Sequence, residues 1–97
     1  MYTVVRLYKI KAGSYDQLVA SAQNGFLDIL SSVPGFVGYY MVNTGKDSVM
    51  TISLFESQEG AYASTTAAAR WIKANIADLV EMPPTVIAGD AALYHTR

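Results

Sequence analysis

The chain contains no cysteine. Disulfide staples, Fe–S clusters, thiolate zinc sites and cysteine nucleophiles are thereby excluded. Histidine occurs once, so a histidine-built metal centre has no companion ligands at close spacing. Charge is scarce as well: 15% of residues are Asp, Glu, Lys or Arg, against about 25% in an average soluble domain. The 97 residues are read as a single domain, 1–97. A domain this small has much surface to wet. The shortage of charge therefore predicts that part of the surface is covered, most simply by a second copy of the chain.

Other absences narrow the function. A net charge of −1 offers no basic face for a nucleic acid. No apolar run approaches the ~20 residues that span a bilayer. Arg6 and Lys9 interrupt the apolar N-terminal stretch, and no small-residue cleavage site follows. The expectation is a cytoplasmic protein without a membrane partner. G-x-G-x-x-G, G-x-x-x-x-G-K-[ST] and G-x-S-x-G are all missing.

Hydrophobic residues, at 52%, carry the positive signals. Tyr2 to Ile10 is β-branched and aromatic and reads as a first strand. Ser14 and Gln17 have the spacing of a capping box at the start of a helix. Apolar positions at 15, 18, 19, 22, 26, 29, 30 and 33 form one helical stripe, which Pro34-Gly35 ends. Gly25 within it costs about 1 kcal/mol relative to Ala.

"FVGYYMV", 36–42, is a second strand, with a loop at 43–47, and "SVMTISLF", 48–55, is a third. Ser57 begins a second helix, with Glu59 in its first turn and a stripe at 61, 65, 68, 69, 72, 76, 79 and 80. Residues 85–94 read as a fourth strand.

The order βαββαβ predicts an α+β, ferredoxin-like fold, a four-stranded antiparallel sheet with both helices on one face. The strands are apolar on both faces. In the second, strict alternation puts Phe36, Tyr40 and Val42 on one side and Val37, Tyr39 and Met41 on the other. Two helices cover one side only. Closure of the other by a second sheet predicts a homodimer with a shared barrel.

"PGFVGYYMV", "SLFES" and "EMPPTVIAGDAALY" resemble the antibiotic biosynthesis monooxygenase-like group of dimeric α/β barrel proteins. The resemblance spans nearly the whole chain and is one of fold and turns. It implies a dimer, and a group that includes cofactor-free oxygenases of aromatic, polyketide-like compounds, haem-degrading enzymes, and members without assigned activity. The haem-degrading branch uses an Asn on the first strand and a Trp and a ligating His on the second helix. Here the first strand has no Asn and the second helix no His, although Trp71 is present.

Cofactor-free oxygenation needs a dry apolar pocket, a proton acceptor and a donor that stabilises the substrate anion. Arg6 is a charge in a strand expected at the centre of the sheet, where charges must be paired. It is the candidate catalytic donor, with Tyr8 beside it on the same face; otherwise its stem packs and its head reaches Glu56, Asp90 or solvent. Trp71, about 100° from Ile72 around its helix, is a candidate pocket wall or a core-edge residue. Arg6, Tyr8 and Trp71 are the candidate substrate-binding set.

Among the other tyrosines, Tyr39, Tyr40, Tyr62 and Tyr94 are expected on or near buried positions. His95 has the neutral-range pKa suited to proton transfer but sits three residues from the chain's end. "SVMTISLF" has no basic residue and one aromatic, unlike an RNA-binding strand of this fold. The expected function is a cofactor-independent monooxygenase-like enzyme on a hydrophobic, aromatic small molecule, metal-free and colourless. The alternative is a non-catalytic small-molecule-binding or interaction module of the same fold.

Overall fold

β1 (Tyr2–Lys9) is the strand to which the rest of the sheet is anchored. It pairs antiparallel with β3 (Ser48–Phe55) on one side and β4 (Thr85–Asp90) on the other, and β2 (Phe36–Gly45) borders β3. The sheet order is therefore β2-β3-β1-β4. This computed structural model describes residues 1–97. Both helical segments lie on one face of the sheet, so the fold is ferredoxin-like.

The first helical segment runs unbroken from Tyr15 to Ser31 but changes pitch. α1 (Tyr15–Ser21) passes into a π-helical turn (Ala22–Phe26) and then α2 (Leu27–Ser31). The expected capping box does not form: Ser14 Oγ donates to Lys11 O at 2.6 Å instead of reaching the helix N–H groups. β2 and β3 are joined by a tight turn in which Lys46 and Asp47 have φ of 52° and 58°. Positive φ at both central positions is the type I′ geometry that matches the twist of a hairpin. The hairpin is thus tighter than the loop expected over 43–47, and β2 extends to Gly45.

Two sequence expectations about faces are corrected. A register shift between Phe36 and Gly38 makes Val37 an extra residue, a β-bulge. Alternation is interrupted there, so Phe36 shares the helix-facing side with Tyr39 and Met41, while Tyr40 and Val42 point outward. On α3 (Gln58–Asn75) the buried residues are Gly60, Ala61, Ser64, Ala68, Trp71 and Ile72. The stripe is rotated away from 65 and 69 because small residues near the N-terminus let the helix sit close to the sheet. A Cβ at Gly60 would lie 2.7 Å from Pro34 O. β4 ends at Asp90, short of the expected 94.

The core lies between the helices and the inner sheet face. Val4, Val49 and Phe55 from the sheet meet Leu18, Phe26 and Leu30 from the first helical segment and Ala68 and Ile72 from α3. After α3, Ile76–Glu81 returns along the end of β1, with Lys11 N donating to Leu79 O and Glu81 N to Lys9 O. No helix is long and apolar enough to cross a membrane.

Candidate functional site

Arg6 and Tyr8 both point from β1 toward the helices, because residues two apart on a strand share a face. Arg6 is 4% exposed and Tyr8 8%. Antiparallel register sets Arg6 opposite Thr51 and Tyr8 opposite Val49 on β3. Thr51 in turn faces Met41 on β2, and Tyr39 lies two residues away on the same side.

These side chains border a cavity of ≈ 30 Å³, whose roof is Leu18, Ala22 and Phe26 from the first helical segment and Ala68, Trp71 and Ile72 from α3. Ile76 and Val80 close its end. The structure thus brings Arg6, Tyr8 and Trp71 around one space.

The roof depends on the π-helical turn. Its widened backbone brings Ala22 and Phe26 onto the cavity and sets Gly25 against the indole: a Cβ there would lie 3.1 Å from Trp71 Nε1. Phe26 stands between two other rings, 5.2 Å from Trp71 and 5.7 Å from Tyr39, the latter edge-on at 74°. Trp71 is buried in the core and forms the wall itself, a deeper position than the helix flank expected from its spacing. The missed residues are Tyr39 and Phe26. Phe26 was legible only as core, and Tyr39 was one of four tyrosines expected near burial, of which Tyr40, Tyr62 and Tyr94 are 58–63% exposed.

Arg6 reaches neither Glu56 nor Asp90. Its Nη2 donates to Thr65 Oγ1 at 2.6 Å, and that hydroxyl donates onward to Ala61 O at 3.1 Å. The ionisable groups that act on the guanidinium are the phenols of Tyr8 and Tyr39, with no carboxylate among them. Burial pushes its pKa down, with the two phenols opposing, yet an arginine remains charged. Burial likewise pushes Tyr8 up against the pull of Arg6. Tyr39 goes well above the ordinary phenol range, chiefly by burial, with Arg6 and the Thr51 hydroxyl opposing.

Both phenols are therefore O–H donors at neutral pH. Ser53 Oγ, opposite Tyr39 on β3, is the one fully buried side-chain polar atom without a partner, and it lies off the cavity lining. His95 is exposed in the irregular tail after β4 and is not part of this lining.

The sequence profile of the antibiotic biosynthesis monooxygenase family matches residues 1–74, which contain β1 through all but the last residue of α3 and every cavity residue except Ile76 and Val80. The chain belongs to this family. No curated protein matches it significantly. Solved structures share the family fold over nearly the full length. A Nitrosomonas europaea protein of unknown function superposes with a TM-score of 0.78 at 18% identity, covering 99% of this chain and 93% of that one. A structure described as an antibiotic biosynthesis monooxygenase gives 0.72 at 15% identity, covering 96% and 100%. An uncharacterised NIPSNAP domain protein from Burkholderia xenovorans gives 0.69 at 17%, covering 100% of both chains. At these identities the likeness is one of fold. Within the family, this chain has the monooxygenase-like fold, and its cavity is lined by a buried arginine together with two tyrosines.

Proposed function

We propose that this protein is a cofactor-independent monooxygenase-like enzyme acting on an aromatic small molecule in the Arg6–Tyr8–Trp71 cavity. One observation carries the reading: Arg6, a residue 4% exposed and without a carboxylate partner, faces a cavity walled by aromatic and aliphatic side chains, with the hydroxyls of Tyr8, Tyr39 and Thr51 and the Trp71 indole as its other polar groups. A cation in an apolar, water-poor site stabilises negative charge far more strongly than it does in water. In such a reaction the substrate anion supplies the electrons for O₂. For a ring methylene the balance is CH₂ + O₂ → C=O + H₂O, so no external reductant is required. Arg6 holds the oxyanion, Tyr8 donates beside it, and Trp71 and Phe26 keep the ring dry.

Oxygen uptake with a panel of acidic aromatic enols tests this. The unmodified protein should consume O₂ with at least one of them, and Arg6→Met should lower the rate about tenfold or more, a loss of roughly 1.4 kcal/mol of anion stabilisation. Binding without O₂ uptake across the panel would favour the second reading, a non-catalytic binding module. The small volume of the cavity, ≈ 30 Å³, supports that second reading. It is room for a water or dioxygen molecule, whereas a benzene-sized site is about 150 Å³. Met41, half-buried on the outermost strand and lining the cavity, is the unbranched side chain best able to swing aside for a ring.

The working unit in this proposal is a homodimer. Val5, Leu7, Tyr40, Val42, Met50, Ile52, Leu54 and Ile87 lie on the sheet face opposite the helices. A second sheet packed on that face would bury them.

A further inference from the structure

The cavity offers donors and no base. Its polar side chains are Arg6, Tyr8, Tyr39 and Thr51 with the indole of Trp71, and no Asp, Glu or His is among the lining residues. A substrate that entered neutral would have no residue there to take its proton at neutral pH. We propose that the cavity takes its ligand as a preformed organic anion, an aromatic ring bearing a carboxylate or an acidic enol, held by a three-donor cradle of Arg6, Tyr8 and Tyr39. This rests on the reading of the cavity as the ligand site and adds the charge class of what it takes.

Three features of the geometry converge on a single anion. Arg6 is buried with a hydroxyl, Thr65 Oγ1, as its hydrogen-bond acceptor, and no carboxylate is among the groups that act on its charge. A buried cation in that condition is stabilised strongly by an anion that brings its own charge into the low-dielectric site. Tyr8 and Tyr39 come from different strands, β1 and β2, and line the same cavity as Arg6. The aromatic wall adjoins the cradle, because Phe26 packs against both Tyr39 and Trp71. A ring stacked on that wall presents its substituent to the cradle. Burial keeps both phenols protonated, and so donors, across the neutral range.

A matched pair of ligands, benzoate and benzamide, separates charge from shape. Trp71 is the only tryptophan, so its indole N–H gives a single NMR resonance that reports occupancy of the cavity. Titration of the unmodified protein, and of Met41→Ala with its wider cavity, should show benzoate binding at least tenfold tighter than benzamide, each shifting the Trp71 resonance. Tyr39→Phe should weaken benzoate several-fold and benzamide less, and Arg6→Met should erase the preference.

Equal binding of the two ligands would overturn the anion assignment while leaving the cavity as an aromatic site. Benzoate binding that leaves the Trp71 resonance in place would overturn it too, because the anion would then sit elsewhere. If neither ligand binds the protein or Met41→Ala, the cavity reading and the inference fall together. The comparison in unmodified protein stands even where Arg6→Met does not fold.

Discussion

Arg6 illustrates how one side chain can be held in an environment that opposes its charge. Desolvation disfavours the guanidinium, and the Thr65 hydroxyl offsets only part of the loss. Its two phenol neighbours meet the same environment with the opposite sign, because burial favours their neutral form. That has a consequence for stability. Above the ordinary phenol value of 10.0, an unfolded tyrosine loses its proton while folded Tyr8 and Tyr39 keep theirs. The unfolded state then binds fewer protons, so stability falls as pH rises. The contribution is complete below pH 10 and is lost from there toward the raised folded values, at about 1.4 kcal/mol per pH unit for each group. Urea denaturation between about pH 9 and 11 should show this slope, shallower in Tyr39→Phe by roughly one proton's share. An identical slope in Tyr39→Phe would contradict the buried, protonated phenol. Arg6 and Tyr8 were legible in the sequence, since a charge in a central strand is conspicuous and its i+2 neighbour shares its face. Tyr39 was not distinguishable from Tyr40, because the bulge at Val37 that resets which one faces the helices leaves no mark in a single sequence.

At the scale of elements, the helices were visible as stripes, but their docking was not. The stripe of α3 was read through Thr65 and Ala69, whereas the structure buries Gly60, Ser64 and Trp71. Apolar periodicity finds a helix face only where the contact is made by large side chains. Here the close contact is made by a missing one. Gly60→Ala places a methyl 2.7 Å from the Pro34 carbonyl and 3.2 Å from the Phe55 ring. The helix must retreat, at a cost of about 1–3 kcal/mol. Gly89→Ala meets nothing within 4 Å and serves as the control. A lower urea midpoint for Gly60→Ala with an unchanged m-value is the expected result; equal midpoints for the two variants would refute the close docking. The π-helical turn was equally hidden, since no residue pattern announces one extra residue in a turn. It matters because it sets Gly25 and Phe26 against Trp71, a kind of placement for which such turns are common at functional sites.

For the whole molecule, the question is what the sheet does with its second face. Inward, β3 presents Val49, Thr51, Ser53 and Phe55, two of them hydroxyl-bearing; outward, it presents Ser48, Met50, Ile52 and Leu54, one of them hydroxyl-bearing. The face away from the helices is thus the more apolar of the two on this strand, contrary to what a monomer in water would favour. Tyr40 at 58% and Ile87 at 61% exposure extend it to both edge strands. A contiguous apolar face across four strands is a surface that monomers rarely leave in water, and a standard interface covers such a face with ~800 Å² buried per partner. Light scattering at micromolar concentration should therefore give about twice the 10.5 kDa chain mass. Ile52, opposite Val5 on β1 and Tyr40 on β2, lies in the middle of this face. Ile52→Glu buries an unpaired carboxylate in any sheet-to-sheet interface, at a cost of several kcal/mol, but leaves it wetted in a monomer. The variant should run as a folded monomer or lose its fold when the partner is lost. A dimer of undiminished affinity in Ile52→Glu would place the interface on another surface. A clean monomer in the unmodified chain would mean that this apolar face stays in water.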